Sequence, residues 1–307
     1  MAIPSGSLTG TSAISNLVQT AYDQYVRMAL RSIPVMRALA DVKPVQQAMP
    51  GSSVVFSIYS DLAQATSTLT ESTDVSSIAL GNPTQVPVTL QEYGSAVTTT
   101  KKLNLTSFND VDAALADIIA YNAADSIDAV VAGVLTSGSN AIYGGAATNT
   151  AGITAGGTIT VADIRAAVTN LRSNKALPRI GELYAAYLHP KQTADLRAET
   201  GTGGFQDLSK FTDRTPFVAG AVGVIEGAFV VETPRVPSAS NGTTTVYSAV
   251  VAGREALAEA MGQDISTVIG PQIDALRRFH TIGWYYFGGW SLLRQAALYR
   301  IETATSY

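Results

Sequence analysis

The chain has 307 residues and a net charge of −4, and 14% of its residues are charged, against about a quarter in ordinary domains. A surface with so few charges favours burial against other subunits in an assembly. The acidic balance argues against a protein that reads nucleic-acid sequence, since such proteins carry an excess of Lys and Arg. Cysteine is absent, which excludes disulfides, thiolate metal sites and cysteine nucleophiles.

The chain does not start with the basic and then apolar pattern of a secretory signal. No segment shows the roughly 20 apolar residues of a membrane helix, so we expect no membrane partner. The first predicted element is an amphipathic helix that ends near Pro34. Its apolar face comprises Leu17, Ala21, Tyr25, Met28 and Leu30.

A long hairpin is predicted next, with strands in segments 52–62 and 84–100, where apolar residues alternate with polar ones. The connecting segment 63–83, AQATSTLTESTDVSSIALGNP, is composed mainly of small and polar residues. Glu71 and Asp74 lie in this tip, where we expect them to be solvated. Because an isolated two-stranded ribbon is marginally stable in water, the hairpin needs a surface outside its own fold.

The clearest helix is predicted over residues 106–135 and is about 45 Å long at 1.5 Å per residue. Thr106 or Ser107 is its expected N-cap. The predicted apolar stripe is Val111, Leu115, Ile118, Ile127, Val130 and Val134. The opposite side carries Asp117, Asp125 and Asp128. That side has no Lys or Arg, so it is either a solvated face or a face that meets cations of a neighbouring subunit.

Helices and strands then alternate irregularly. The Gly-rich segment 138–160 is a predicted loop or hairpin, and Thr160 and Asp163 form a predicted capping box for the helix that follows. A strand at 183–188 leads into a helix that Pro190 opens, and a further helix is predicted at 254–260. The remaining predicted strands are 227–234, 243–252, 273–289 and 290–304. This order indicates an α+β fold and not a doubly wound sheet.

The sequence contains few candidates for chemistry. His189 and His280 are far apart and lie in no metal-binding spacing, and His189 is expected to make a turn hydrogen bond before Pro190. Nucleophile-elbow, phosphate-loop and dinucleotide patterns are absent from the sequence. We therefore expect no enzyme, no cofactor and no metal site.

The order of these segments resembles the major capsid proteins of tailed bacteriophages, which share the Hong Kong-97-type fold. The phrases TLTESTDVSSIAL, TLQEYGSAVTTTKKLNLTS, YLHPKQTADLR and GVIEGAFVVETPRVP are similar to the N4-type branch of these capsid proteins. The resemblance covers nearly the whole chain, and the order of the segments carries it more than any single motif.

The resemblance implies a division of the chain. Residues 1–45 would be an N-terminal arm and helix, 46–100 the E-loop hairpin, and 101–181 a P-domain with a long spine helix. Residues 182–263 would be the A-domain, and 264–307 the closing strands of the P-domain. The E-loop would lie across the P-domain of an adjacent subunit, which supplies the surface that the hairpin needs.

The implied function is that of a major capsid protein. Pentamers and hexamers of the chain would form an icosahedral shell around double-stranded DNA, in the virion, after assembly in the host cytoplasm. Portal, scaffolding and decoration or cement proteins are possible partners. Because no lysine lies between Lys43 and Lys101, we expect a shell without covalent crosslinks. The alternatives are an encapsulin-like nanocompartment shell and a cofactor-free α+β enzyme.

Two groups of residues are candidates for contacts in such a shell. The aromatic segment 279–293 holds both tryptophans of the chain and carries no formal charge. Its aromatic residues could belong to the core or to an interface; the candidates are Trp284, Tyr286 and Trp290. The candidates for inter-subunit ion pairs are Glu71, Asp74, Arg294 and Arg300.

Overall fold

The computed structural model describes residues 35–44, 53–69, 71–72, 74–75, 77–106, 111–200, 204–205, 223–269, 276 and 278–307. The side chains of residues 44, 104 and 111–114 are not described. All structural statements concern these residues. The predicted N-terminal helix and the predicted cap at Ser107 lie outside them.

The elements are as follows in chain order. The helices are α1 (Lys101–Thr106), α2 (Val111–Thr136), α3 (Val161–Ser173) and α4 (Pro190–Ala198). The strands are β1 (Ala40–Pro44), β2 (Ser53–Ile58), β3 (Thr84–Thr89), β4 (Gln91–Thr100), β5 (Ala141–Tyr143), β6 (Tyr184–Leu188), β7 (Val224–Ile225), β8 (Ala228–Glu232), β9 (Ser238–Ser240), β10 (Thr245–Ala252), β11 (Leu257–Ile269), β12 (Phe279–Leu292) and β13 (Leu298–Thr303). Short 3-10 helices cover Met36–Leu39, Thr150–Gly152 and Gln295–Ala297.

The first sheet has the order β1-β11-β12-β4. Strands β11 and β12 form its long antiparallel centre, and β1 joins one edge in parallel, far from its neighbours in sequence. Helix α2 packs on one face of β12. Its buried side chains recur every four residues, as one stripe of a helix does: Ile119, Ala123, Ile127, Val131 and Leu135.

The second sheet has the order β5-β13-β10-β6-β8-β7, and β9 pairs with β10. Strand β6 is buried along its whole length because the sheet is covered on both faces. Ala185 and Tyr187 face the core shared with α2, whereas Tyr184, Ala186 and Leu188 face a second core that contains α3. Strand β13 lies between β5 and β10, so the last strand of the chain is internal to its sheet.

Strands β2 and β3 form the antiparallel hairpin, whose described residues pair over 53–58 and 84–89. The base of this hairpin packs on the first sheet, where Val88 and Leu90 join Ala258 and Ala260 in a small buried cluster. The backbones meet closely at Gly289, since a Cβ atom there would collide with the carbonyl oxygen of Thr89. The predicted strand over 84–100 is therefore two strands, β3 and β4, divided at Leu90 between different sheets.

The helix predicted at 254–260 is wrong. Glu255 adopts a φ of 58°, which ends any helical run, and β11 begins two residues later. Leu257 to Ala260 pair with β1 on one side and with β12 on the other, and all four residues are buried. Tertiary pairing thus overrides the helix propensity of this Ala-, Leu- and Glu-rich segment.

Helix α2 also differs in detail from its prediction. Ile118 is 43% exposed, and the buried stripe runs through Ile119 instead. Thr106 is the last residue of the separate helix α1, and its hydroxyl donates to the carbonyl oxygen of Lys102. By length and composition the segment Leu115–Thr136 could cross a membrane, contrary to the sequence expectation. In the fold its buried stripe packs on the first sheet.

The starts of α3 and α4 agree with their sequence signals. The capping box of Thr160 and Asp163 is confirmed. Pro190 opens α4, and His189 before it is the N-cap: the backbone N–H of Lys191 donates to His189 Nδ1 at 3.1 Å. The expected turn hydrogen bond of His189 is therefore confirmed.

The cap makes the stability of the fold sensitive to acid. Burial lowers the pKa of His189 below 6.5, and the charge of Lys191 lowers it further. Because the unfolded chain then takes up this proton at a higher pH than the folded chain, the free energy of unfolding should fall as the pH drops below about 6.5. The variant His189→Asn keeps an acceptor at the cap and does not titrate, so urea denaturation should show a flatter pH dependence. Equal slopes in the two proteins would contradict this expectation.

Candidate assembly interface

The tip of the hairpin, residues 59–83, has no strand partner among the described residues and is exposed along nearly its whole length. It contains more large apolar side chains on its surface than its polar composition indicated: Tyr59, Leu62, Leu69, Val75, Ile78 and Leu80, each at least 57% exposed. Glu71 and Asp74 are exposed beside them, and Asp74 accepts a hydrogen bond from the N–H of Val75. A surface of this kind is typical of a contact with another protein.

The end of the first sheet carries a second exposed apolar surface. The N–H of Lys101 donates to the carbonyl oxygen of Arg278 at 2.8 Å, and Thr100 pairs with Phe279, so α1 starts beside the first residues of β12. We call the following residues the sheet-end patch: Lys101, Lys102, Leu103, Leu105, Ile269 and Phe279, all exposed. Leu105 and Ile269 are 76% and 67% exposed.

The two arginine candidates are engaged within their own chain. Arg294 lies on the surface and forms an ion pair with Glu255 at 3.2 Å. Arg300 is largely covered: it donates to the carbonyl oxygen of Thr136 at 2.7 Å and pairs with Glu302 at 3.1 Å. Arg294 is thus the more accessible of the two to a neighbouring subunit.

The three aromatic candidates lie in the core shared by α2 and the first sheet. Trp284 donates from Nε1 to the Oδ1 atom of Asn122 on α2 at 3.0 Å. Tyr286 and Trp290 stack on each other with ring centroids 5.1 Å apart, and Tyr93 of β4 packs against both. These contacts join strand β12 to helix α2 and to strand β4.

A buried ionic network next to these aromatic residues was not anticipated from the sequence. The guanidinium of Arg37 binds both carboxylate oxygens of Glu259, with distances of 2.7 to 3.2 Å, and Glu259 is fully buried. The hydroxyl of Tyr286 donates to the same carboxylate at 2.8 Å. Burial raises the pKa of Tyr286, and the charge of Glu259 raises it further. The network fixes the 3-10 helix Met36–Leu39 to the centre of the first sheet.

The aspartates of α2 correct the prediction of a solvated face. Asp128 is fully buried and accepts hydrogen bonds from the backbone N–H groups of residues 35, 36 and 37 at 2.7 to 3.3 Å. Burial raises its pKa, although the three N–H groups act in the opposite direction. Asp125 pairs with Arg235, a cation of the same chain. Only Asp117 of the three is exposed.

The described residues show no metal-binding group. They contain no cluster of His, Asp and Glu that could hold a metal ion. A groove of about 360 Å³ on the first sheet has neither a carboxylate nor a histidine in its wall. It is lined by Gly94, Ser95, Ala96, Val268, Thr281, Gly283, Trp284 and Tyr285.

Several solved structures of phage capsids are similar to this fold. The chain is similar to a protein in the capsid of cyanophage P-SCSP1u, with 18% identity, 95% of this chain and 94% of that chain covered, and a TM-score of 0.73. The head of Helicobacter pylori bacteriophage KHP40 gives 15% identity, 94% and 97% coverage and a TM-score of 0.73. The capsid of Ralstonia phage GP4 gives 15% identity, 94% and 96% coverage and a TM-score of 0.72. The α+β fold class of Hong Kong-97-type capsid proteins is therefore confirmed.

The family comparison agrees with the fold. No curated protein matches the sequence. A model of the family described as phage capsid protein matches residues 16–297, which is most of the chain. The chain belongs to the phage capsid protein family.

Proposed function

We propose that this capsid protein is the major protein of an icosahedral shell, and that it assembles through pentamers and hexamers around the double-stranded DNA genome of a tailed phage. As a phage capsid protein it is structural and not an enzyme. The observation that carries the assembly proposal is the exposed hairpin tip, whose apolar side chains have no cover within the described part of the chain.

The division of the chain follows from this assignment. Residues 46–100 serve as the E-loop, 101–181 and 264–307 as the P-domain, and 182–263 as the A-domain, with 1–45 as the arm. The separate hairpin sheet of β2 and β3 supports the E-loop part of this division. The other two sheets cross its boundaries, because β4 of the E-loop range belongs to the first sheet, and β5 and β13 of the P-domain ranges belong to the second sheet. The boundary near 263 falls inside β11, where its pairing with β12 is irregular.

The shell is held by many repeated contacts, each of modest strength. Contacts that join one surface of a subunit to a different surface of the next close into rings of five and six. Because such contacts are multiplied around the shell, weak pairwise affinities suffice for a stable particle. Glu71 and Asp74 in the hairpin tip and Arg294 on the surface are proposed to contribute ion pairs to these contacts.

The particle would be a virion assembled in the host cytoplasm. A portal protein, scaffolding proteins and cement proteins are its proposed partners. The hairpin between Lys43 and Lys101 has no lysine that could form an isopeptide crosslink. Mature particles should therefore give single chains on a denaturing gel, and a ladder of covalent oligomers would exclude this part of the proposal.

Shortening the hairpin tests the assembly proposal. Ile58 and Thr84 are paired, so residues 59–83 can be replaced by an Asn-Gly turn that preserves the β2–β3 ladder. We expect the purified full-length chain to form shells visible by electron microscopy, and the shortened chain to remain folded but sediment as small species. A shortened chain that forms normal shells would contradict the role of the tip. Nucleic acid and a portal in phage-derived particles would separate this function from a nanocompartment.

A further inference from the structure

The turn between β9 and β10 contains the only Asn-Gly pair of the chain, Asn241 and Gly242. An asparagine followed by glycine is prone to deamidation, because no side chain hinders the approach of the glycine nitrogen to the side-chain amide. Gly242 has a φ of 89°, which residues with a side chain rarely adopt. The geometry of the turn therefore keeps a glycine next to this asparagine.

The side chain of Asn241 joins two segments of the chain. Its Nδ2 group donates to the carbonyl oxygens of Thr150 and Ile153, both at 2.9 Å. Its Oδ1 atom accepts from the backbone N–H groups of Thr243 and Thr244 at 3.0 and 2.9 Å. These four hydrogen bonds fill the capacity of the amide. The side chain thereby holds the 3-10 helix between β5 and α3 against the turn of β9 and β10.

These hydrogen bonds close a small buried core beside the second sheet. Ile153 is buried and packs with Val246 of β10 and with Ala304, which follows β13. If the amide of Asn241 became a carboxylate, both donors would be lost and a negatively charged oxygen would face two carbonyl oxygens. A half-buried carboxylate oxygen without a donor is unfavourable. Deamidation should therefore destabilise this part of the fold.

The folded turn restrains both groups that must react in deamidation. The backbone nitrogen of Gly242 has to lose its proton and approach the Cγ atom of Asn241. In the fold this N–H group donates to the Oγ atom of Ser240 at 3.2 Å, and the amide of Asn241 is fixed by its own four hydrogen bonds. The reaction then requires local opening of the turn, so its rate falls with the fraction of time that the turn is open.

From these observations we propose that Asn241 is a deamidation site that the fold suppresses, so that the modification marks chains that remain unfolded. The nitrogen of Gly242 bonds to Cγ of Asn241, the Cγ–Nδ2 bond breaks, and ammonia leaves with the proton lost by the attacking nitrogen. Water then opens the succinimide to aspartate or iso-aspartate. No oxidant, reductant or enzyme is required.

Mass spectrometry of the tryptic peptide 236–254 measures the modification. Cleavage after Arg235 and Arg254 separates Asn241 from every other asparagine of the chain. In mildly alkaline buffer, the chain unfolded in guanidinium chloride should convert Asn241 at least about tenfold faster than the folded chain. Equal rates would overturn the suppression by the fold, and an unmodified peptide from the unfolded chain would overturn the site itself. Because the isolated chain suffices, the outcome does not depend on shell formation.

The variant Ser240→Ala tests how the fold suppresses the reaction. It removes the acceptor of the Gly242 N–H group at an exposed position, so the chain should remain folded. We expect faster deamidation than in the wild type when the chain is folded, and the same rate when it is unfolded. Ser238→Ala, at another exposed position of β9, is the matched control and should change neither rate. An unchanged rate in folded Ser240→Ala would overturn the role of this hydrogen bond.

The variant Asn241→Asp tests the consequence of the modification, because it places one of the two products in the turn. It should lower the melting temperature by about 3 °C or more. Asn82→Asp makes the same change of charge at an exposed position of the hairpin tip and should leave the melting temperature unchanged. If Asn241→Asp is as stable as the wild type, the modification does not distinguish damaged chains and this part of the inference is overturned.

Discussion

Replacing Glu259 with Ala should lower the free energy of unfolding by on the order of 3 kcal/mol, because the change leaves the guanidinium of Arg37 and the hydroxyl of Tyr286 without their buried partner. Glu259 is fully buried, and without it the guanidinium of Arg37 keeps only its 3.1 Å ion pair with the exposed Asp264 and partial contact with water, so the lost interaction is replaced only in part. Denaturant unfolding of the isolated chain measures the loss.

Two control variants test whether the loss of stability comes from the buried ion pair. Arg294→Ala breaks an exposed ion pair and should cost less than about 1 kcal/mol. The double variant Arg37→Met/Glu259→Leu removes both charges of the buried pair, so its loss should be well below the sum of the two single losses. Additive losses would show that the pair is not coupled.

Gly289→Ala should have the second large effect. It should lower the stability of the subunit and also impair the assembly of particles. The new Cβ atom would collide with the backbone carbonyl of Thr89, which cannot rotate away as a side chain can. Overpacking of this kind costs about 1–3 kcal/mol. The strain is relieved most directly if the base of the hairpin lifts from the first sheet, which displaces the tip. We therefore expect a lower melting temperature together with fewer and irregular particles.

Gly156→Ala is the matched control for this substitution, because no heavy atom of the described residues, apart from the two chain neighbours of Gly156, lies within 4 Å of the position that its methyl group would occupy. It should change neither the melting temperature nor the particles seen by electron microscopy. Normal shells from Gly289→Ala, at unchanged stability, would show that the close approach of the two backbones is not required.

Local signals in the sequence were sufficient for some elements. The capping box of Thr160 and Asp163 and the helix opened by Pro190 depend on residues within one turn, so their geometry is contained in a short segment. The hairpin strands were also predictable, since alternation of apolar residues reflects a half-buried ribbon. The whole-chain order of the segments then indicated the fold.

Other features depend on contacts between distant residues and could not be predicted. Leu257 to Ala260 form a strand because β1 and β12 flank them, and no local pattern reveals these partners. Asp128 has the appearance of a solvated helix residue until the backbone of residues 35–37 is placed over it. The partner of Glu259 is 222 residues away in sequence, and nothing near either residue indicates the pair.

The two surfaces of the candidate interface differ in the same way, since one was predictable from the sequence and the other was not. The need of the hairpin for an outside surface followed from its length and composition. The sheet-end patch did not, because the start of α1 lies beside Phe279 only when β4 and β12 are paired. Single-sequence reasoning therefore found the exposed hairpin tip and missed this second exposed surface.

The internal position of β13 has a consequence for protein synthesis. This strand supplies the hydrogen-bonding partner of β5 on one side and of β10 on the other, and it consists of residues 298–303. A nascent chain cannot complete the second sheet until the ribosome has released these residues. Chains truncated before Leu298 would expose the edges of both neighbouring strands and become substrates for proteases. The second sheet is therefore complete only in chains that have been translated through β13.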